Sequence, residues 1–297
     1  MKYRIMIWGL GKTYNNHVNV LKYLEMKDEI EVVGVTVKEL PPFSVIDGYQ
    51  IVSPLEVKND EFDYLLIMSE LYFDEIVQSV MKLGIPRKKI LPYRILELPN
   101  IDFKNYIELK ESNLSIISNN CWGGIVYRTL GLECLSPFKN LFLEDSDYLR
   151  LLSDLYGYLQ EELVFERYRE DAYTKKKYPI MRLGDVFVHC NHSDNPEEAV
   201  AKWNARCKKV NYDNLFIEMF TVKRENAEKF LTKNDYKKKI CFVPFDMPHD
   251  EAFQLISYPN QKEFFETVND NALGGNNSLD YRIVDLLQGR YSQRGVR

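Results

Sequence analysis

The segment Tyr3-Arg4-Ile5-Met6-Ile7-Trp8-Gly9-Leu10-Gly11 is the strongest structural signal in the first part of the chain. Its first six residues form an apolar run of the length of a buried strand, and the glycines permit a tight turn into a helical pattern. Further segments follow in alternation, with a helix over 13–26, strands over 31–37 and 64–68, a helix over 73–83 and a strand over 89–91. Strands that alternate with helices favour a parallel sheet. The sequence therefore predicts a small Rossmann-like domain over residues 1–100.

The two glycines also make a candidate cofactor site. A strand, Gly-x-Gly and a helix begin a dinucleotide-binding fingerprint, because glycines let backbone N–H groups approach a pyrophosphate. Gly9 and Gly11 are therefore candidate cofactor-binding residues, although Tyr14 stands where the third glycine is expected. The second strand ends on Thr36-Val37-Lys38, without the acidic residue that would bind a ribose. The alternative is a tight turn with no ligand, and the sequence names no particular cofactor.

The region from 112 to 297 repeats the alternation of strands and helices. Strands are predicted over 114–117, 185–188, 215–222 and 239–243, and helices after Cys121 and over 148–163, 196–210 and 224–231. A loop is expected at Gly274-Gly275-Asn276-Asn277, with a last helix over 280–287. The predicted fold class is α/β, with an N-terminal Rossmann-like parallel-sheet domain (1–100) and a second, larger α/β domain (112–297).

The composition excludes several classes of protein. The chain is 45% hydrophobic and 28% charged, as in ordinary globular proteins, and its net charge of −5 argues against nonspecific nucleic-acid binding. It contains no apolar run of about 18 residues, so no membrane span is expected. Its five cysteines lack Cys-x-x-Cys spacing, which favours free thiols and a reducing, cytoplasmic location.

A polar turn, Ser118-Asn119-Asn120-Cys121-Trp122-Gly123-Gly124, places a cysteine at the predicted start of a helix. The N–H groups at a helix N-terminus favour a thiolate over a thiol, so Cys121 is the candidate nucleophile. Asn119 or Asn120, together with the backbone N–H of Cys121, is the candidate source of oxyanion donors. The alternative is a small buried cysteine with no chemical role.

A second polar cluster, His189-Cys190-Asn191-His192-Ser193-Asp194, follows another predicted strand. Side chains alternate faces along a strand, so Cys190 and His192 should share one face, with His189 and Asn191 on the other. His192 is the candidate base, because the loop after it is open to a ligand. Asp213, before the next strand, is the candidate carboxylate that orients it. The same alternation argues against a metal site, and His189 has the alternative role of a core histidine.

Basic residues line one side of the predicted helix over 196–210. Lys202, Arg206 and Lys209 lie at helical spacing, while Trp203 and Val210 form an apolar stripe. One interpretation is a cationic wall for a phosphate or carboxylate, with bidentate contacts from Arg206, and the other is a solvated face. The candidate substrate-binding residues are Asn119, Asn120, Trp122, His189, Lys202, Trp203, Arg206 and Asn214.

These motifs resemble those of a bacterial family of unknown function that is linked to exopolysaccharide biosynthesis. The matching stretches are Ser115-Ile116-Ile117-Ser118-Asn119-Asn120-Cys121-Trp122-Gly123-Gly124, Leu135-Ser136-Pro137-Phe138, Leu183-Gly184-Asp185-Val186, His192, Glu198-Ala199, Lys202-Trp203-Asn204-Ala205-Arg206 and Asp213-Asn214-Leu215-Phe216. The chain departs from that pattern at Ser193, where the family has a tyrosine. The first domain is similar to a Rossmann-type module of bacterial surface-sugar proteins, on residues 63–69, 75–76 and 84–90. The order of an early cysteine and a later histidine is distantly similar to papain-like putative cysteine peptidases.

The resemblance implies a pathway and leaves two functions open. The first is an enzyme of surface-glycan biosynthesis, a transferase or hydrolase that acts on an activated sugar or acyl donor through Cys121 and His192. The second is a noncatalytic assembly or regulatory protein that binds a nucleotide or sugar. The expected partner is a small molecule or glycan precursor, and a homo-oligomer is an open alternative. A cleft that holds Cys121, His192, Asp213 and Arg206 together would favour the enzyme.

Overall fold

The computed structural model describes residues 2–171, 174–233, 235–255 and 281–290. The chain divides into two compact units, one of Met1–Lys110 with Thr129–Glu133 and one of Glu111–Arg128 with Cys134–Arg297. The loop expected at 274–277 lies outside the described residues. The predicted α/β class is confirmed, because both units contain parallel strands and helices.

The first unit is built on a six-stranded sheet. Its strands are β1 (Tyr3–Trp8), β2 (Ile30–Thr36), β3 (Val45–Ile46), β4 (Tyr49–Val52), β5 (Tyr64–Ile67) and β6 (Ile90–Pro92), and its helices are α1 (Lys12–Met26), α2 (Phe73–Lys82) and α3 (Phe103–Glu111). The order is β3-β4-β2-β1-β5-β6, and every pair except β3–β4 is parallel. The apolar run of β1 is central because its side chains are buried on both faces of the sheet.

The second unit contains two sheets. Its strands are β7 (Ser115–Ser118), β8 (Leu163–Glu170), β9 (Lys177–Leu183), β10 (Val186–His189), β11 (Leu215–Phe220), β12 (Lys239–Val243) and β13 (Ala252–Gln254). Its helices are α4 (Trp122–Thr129), α5 (Asp145–Ser153), α6 (Leu155–Tyr158), α7 (Pro196–Cys207), α8 (Arg224–Lys233) and α9 (Ile283–Leu287). One sheet is parallel with the order β13-β12-β11-β7, and the other is antiparallel with the order β10-β9-β8.

The helix predicted over 148–163 is wrong in its extent. Asp154 leaves the helical conformation with φ −151° and ψ 63°, and its carboxylate accepts a hydrogen bond from the Gly157 N–H at 2.9 Å. An aspartate that caps a new helix competes with continuation of the old one, so α5 ends and α6 begins. The leucine periodicity continues across the break because Leu151, Leu155 and Leu159 all enter one core.

The β8–β9 hairpin has no counterpart among the predicted strands. Seven of the eight residues of β8 are exposed, so the segment shows none of the alternation that marks a half-buried strand. Lys175 lies at the turn of the hairpin with φ +59°.

The parallel sheet of the second unit determines where the candidate site lies. β11 pairs with β7 from Leu215 opposite Ser115 to Glu218 opposite Ser118. The carboxyl ends of β7 and β11 therefore lie at the same edge of the sheet. Cys121 lies at this edge, in the turn that follows β7. Open α/β sheets place their ligands at this edge.

Candidate active site

Cys121 lies at the N-terminus of α4. Its carbonyl accepts the first hydrogen bond of the helix, from the Ile125 N–H at 3.1 Å. The side-chain oxygen of Asn120 accepts a hydrogen bond from the Trp122 N–H at 2.7 Å. The Ser118 hydroxyl accepts one from the Gly123 N–H at 3.3 Å. Two otherwise unpaired N–H groups are thus capped by side chains of the turn, which fixes the position of Cys121.

The side chains of Asn119 and Asn120 are buried and hydrogen-bonded within the protein. Asn119 donates to the Phe220 carbonyl and accepts from the Phe220 N–H, both at 3.1 Å, which extends the contact between β7 and β11 beyond the last backbone pair, Ser118 with Glu218. Asn120 donates to Asn119 at 2.7 Å and to Glu218 at 3.0 and 3.1 Å. These amides support the turn, so the prediction that they donate to an oxyanion or bind substrate is corrected.

Glu218 is a buried carboxyl that the sequence analysis missed. Burial raises its pKa to about 8, although the hydrogen bond from Asn120 acts in the opposite direction. The Tyr148 hydroxyl donates to the carbonyls of Ile117 and Glu218, at 2.9 and 2.8 Å, beneath the same turn. The only sequence signal for this group is one acidic residue inside the apolar run Leu215–Phe220.

Cys121 and His192 lie side by side, with 3.7 Å between Sγ and Nε2. β10 ends at His189, and the Ser193 N–H donates to the Cys190 carbonyl at 3.0 Å to close a turn. Cys121 is half-buried and His192 is exposed, so the pair is accessible to a ligand.

Asn191 is a further member of this site. Its side chain hydrogen-bonds the Cys121 sulfur, and its Oδ1 is buried without a hydrogen-bond partner among the described residues. The prediction that Asn191 faces away from His192 is wrong, because strand alternation stops at His189. The turn-forming residues that follow His189 were the available signal.

The electrostatics favour the neutral form of both partners. Burial raises the pKa of the Cys121 thiol to about 11, against a smaller lowering by the Asn191 hydrogen bond. The shift from the ordinary pKa of 9.0 corresponds to about 3 kcal/mol in favour of the thiol. The helix N-terminus favours the thiolate by only about 0.3–1 kcal/mol. Partial desolvation of the imidazole ring and the Lys202 ammonium lower the pKa of His192, while Asp171 raises it. The structure therefore favours a thiol beside a neutral imidazole over the thiolate that the helix N-terminus alone predicts.

Asp213 and Asn214 lie at the other edge of the parallel sheet. Leu215 pairs with the first residue of β7, whereas Cys121 follows the last one, and about 10 Å of strand separates the two edges. The prediction that Asp213 orients His192 is therefore wrong. Asn214 donates to the Ser112 carbonyl at 2.7 Å, so its predicted contact with substrate is also wrong.

Trp122 and His189 belong to the core. The Trp122 indole stacks on Phe216 and its N–H donates to the Tyr281 hydroxyl at 3.2 Å. The His189 ring stacks on Phe142 with 4.2 Å between centroids, and burial lowers its pKa to about 4, with Arg169 and Arg167 adding to this effect. Both residues are less than 5% exposed, so the prediction that they bind substrate is corrected.

An open cleft of about 390 Å³, open solvent included, lies beside His192. It is lined by Pro137, Lys139, Asn140, Leu141, Cys190, His192, Ser193, Ala199, Lys202, Trp203 and Arg206. Three of these residues are basic and none is acidic. Lys202 pairs with Glu198 at 2.6 Å, and Arg206 donates to the Lys139 carbonyl at 3.2 Å. Trp203 is only 3% exposed, so it is a core residue at the edge of the cleft. Lys209 follows the end of α7, so the row of basic residues on this helix is shorter than the sequence predicts.

The glycines of the first unit form the turn after β1. Gly9 has φ +114°, which favours glycine, and its N–H donates to the Thr36 carbonyl at 2.9 Å. A Cβ at Gly11 would meet no atom of the described residues within 4 Å. Tyr14, in place of the third glycine, is buried and donates its hydroxyl to Asp47 at 3.0 Å. Cofactor binding by Gly9 and Gly11 stays a prediction.

Within the described ranges, no group of three or more His, Cys, Asp or Glu side chains is arranged to hold a metal ion. No helix in those ranges has both the length and the apolar character needed to cross a bilayer.

Comparisons with known proteins bear on the whole chain. A family model described as a domain of unknown function (DUF1919) matches residues 93–287, and one described as C2185-like, N-terminal, matches residues 1–91. An "Uncharacterized protein" of Haemophilus influenzae (strain ATCC 51907 / DSM 11121 / KW20 / Rd) is 31% identical over 160 residues, which cover 52% of this chain and 74% of that protein.

Two solved structures of aspartate semialdehyde dehydrogenase II from Vibrio cholerae, one complexed with ASA, are also matched. The identity is 10% in both cases, with TM-scores of 0.25 and 0.24. The matches cover 74% and 56% of this chain and 66% and 47% of the enzyme chains, less than two thirds of their length. Likeness at this level carries no argument about this protein.

Proposed function

We propose that this chain, which belongs to the DUF1919 family, is a transferase or hydrolase with Cys121 as nucleophile and His192 as base. The observation that carries the proposal is the 3.7 Å distance between Sγ and Nε2 in an accessible pair. Such a distance lies within hydrogen-bond reach for sulfur, as a nucleophile and its base require. The pair is also held from beneath, because the turn before α4 is fixed by buried hydrogen bonds.

The neutral state of the pair determines the order of events in the proposed reaction. As Sγ attacks an acyl carbonyl carbon, the thiol proton passes to Nε2 of His192 and the carbon–sulfur bond forms. The bond to the leaving group then breaks, and the leaving group takes the proton from the imidazolium. Water or an acceptor hydroxyl next gives a proton to His192 and attacks the thioester. The carbon–sulfur bond breaks, and the proton returns to sulfur.

Asn191 is the group placed to assist this step. Its side chain hydrogen-bonds Sγ and thereby lowers the pKa of the thiol, in opposition to burial. A hydrogen bond to a developing thiolate is a charge-assisted one, which is stronger than a bond between neutral groups. We therefore assign to Asn191 the stabilisation of the developing thiolate, a role distinct from the oxyanion donation that was predicted for Asn119 or Asn120.

The donor class and pathway in this proposal come from sequence resemblance. An activated sugar or acyl donor and a role in bacterial exopolysaccharide biosynthesis are supported by the motifs around Cys121 and His192. The order of cysteine and histidine along the chain, similar to papain-like putative peptidases, supports a thiol mechanism. A cytoplasmic location is supported by five free cysteines, which suit a reducing compartment.

The test is formation of a covalent adduct from an activated acyl ester, followed by intact-protein mass spectrometry. The expected result is one acyl group per chain in the wild type and none in Cys121→Ser. Cys134→Ser is the matched control, because Cys134 is also half-buried but its sulfur contacts the Ser136 carbonyl. An unreactive wild-type chain, or equal labelling of Cys121→Ser, would favour the noncatalytic binding protein.

A further inference from the structure

The cleft beside His192 presents hydrogen-bond donors and positive charge from several parts of the second unit. Lys139 and Asn140 come from the loop before α5, Ser193 from the turn after β10, and Lys202 and Arg206 from α7. Ammonium, guanidinium, amide and hydroxyl groups can all donate to an oxygen anion. None of the described residues that line the cleft is acidic, so an anion bound there would meet no like charge from them.

The cleft adjoins the Cys121–His192 pair. His192 lines the cleft and also contacts the Cys121 sulfur. The loop with Asn140 packs against the start of α4. A Cβ added at Gly124 would lie 3.1 Å from the backbone nitrogen of Asn140. The hydrogen bond from Arg206 to the Lys139 carbonyl joins this loop to α7 at 3.2 Å. Cys121 does not itself line the cleft, so a group bound among these residues would lie beside His192, which contacts the reacting sulfur.

The cations of the cleft are only partly neutralised by the protein. Lys202 pairs with Glu198, whereas no carboxylate of the described residues lies within 4 Å of Lys139 or Arg206. The positive charges of Lys202 and Arg206 act on Cys190, which lines the cleft, because both oppose the rise in its pKa that burial causes. We propose that this cleft binds a phosphoryl group of the substrate that reacts at Cys121.

Charge favours a phosphoryl group over a carboxylate. Three cations line the cleft, and one of them is paired with Glu198. About two positive charges therefore remain, which match the charge of about −1.5 to −2 on a phosphate monoester better than the single charge of a carboxylate. Arg206 can also bind two phosphoryl oxygens through its planar guanidinium. This inference rests on the proposed function only for the claim that the bound molecule reacts at Cys121.

The test is calorimetric titration with inorganic phosphate, and with acetate, at constant ionic strength. We expect phosphate to bind the wild type, and Arg206→Gln to bind it at least tenfold more weakly. The matched control is Lys208→Gln, which removes an exposed charge two residues away that does not line the cleft and should change the affinity less than twofold. Lys202→Gln should weaken binding too, and provides a second test if loss of the Arg206–Lys139 contact unfolds the first variant.

Three results would overturn the inference: no phosphate binding by the wild type, unchanged binding by both cleft variants, or acetate binding as tightly as phosphate. Cys121→Ser separates this inference from the proposed function. It should bind phosphate as the wild type does, because its substitution leaves the cleft intact. Phosphate binding without acyl labelling of the wild type would contradict the thiol mechanism alone, and labelling without phosphate binding would contradict the cleft assignment alone.

Discussion

Replacement of Glu218 by glutamine should remove a specific pH dependence from the stability of the second unit. The ordinary pKa of this carboxyl is 4.5, and burial raises it to about 8 in the folded protein. Between these two values the folded chain holds a proton that the unfolded chain has released. Stability therefore falls as pH rises, by up to about 1.4 kcal/mol per pH unit and by about 5 kcal/mol across the whole interval.

Glutamine keeps the shape of the side chain and an oxygen that can accept from Asn120, but it cannot ionise. The free-energy difference between Glu218→Gln and the wild type should therefore shift in favour of the variant by several kcal/mol from pH 5 to pH 8. Well below pH 4.5 the variant should gain nothing, because the wild-type carboxyl is then protonated in both the folded and the unfolded state.

The assay is urea unfolding at a series of pH values, followed by tryptophan fluorescence. The chain has three tryptophans, and a Trp8→Phe background leaves only Trp122 and Trp203, which both lie in the second unit. Glu228→Gln, on the exposed face of α8, is the control and should leave the pH dependence unchanged. A constant difference between Glu218→Gln and the wild type from pH 5 to pH 8 would refute the buried, protonated carboxyl.

Three further predictions follow from the site. Because burial raises the pKa of Cys121 to about 11, its alkylation by iodoacetamide should accelerate about tenfold per pH unit from pH 7 to pH 10, and a plateau near pH 7 would instead indicate a resting thiolate. Gly124→Ala should lower the free energy of unfolding by about 1–3 kcal/mol in urea titrations, since its Cβ would overlap Asn140, and unchanged stability would show that the loop gives way. Asp213→Asn should leave acyl labelling at the wild-type rate. A loss of labelling comparable to that of His192→Asn would show that Asp213 does orient His192.

The buried strands could be predicted from sequence because their environment is uniform. β1 and β12 have the predicted bounds, since strands covered on both faces are continuous apolar runs. The exposed strand β8 has no such pattern, and its pairing with β9 is a contact between segments that local sequence does not encode. The break at Asp154 was hidden because the leucines on both sides serve the same core.

Cys121 and His192 could be paired from sequence as a candidate nucleophile and base, whereas the protonation state and the supporting contacts of the pair could not be predicted. Both residues were expected just after strands, and the structure places their reactive atoms 3.7 Å apart. Their catalytic roles stay predictions. Polar residues such as Asn119 and Asn120 look alike in sequence whether they face a ligand or a buried carboxyl. Asp213 could have been excluded from sequence, because a residue that precedes a parallel strand lies at the edge opposite the site.

The two proposals together explain how a neutral pair could be made reactive only when substrate is present. Partial desolvation of the imidazole ring and the Lys202 ammonium both lower the pKa of His192, so the free protein disfavours the imidazolium that proton transfer must form. A phosphoryl group bound beside Lys202 would offset that cation and so stabilise the imidazolium. The thiol would then lose its proton more readily at the moment when a donor lies next to it. Occupation of the cleft and activation of Cys121 would thus be linked through one lysine on α7.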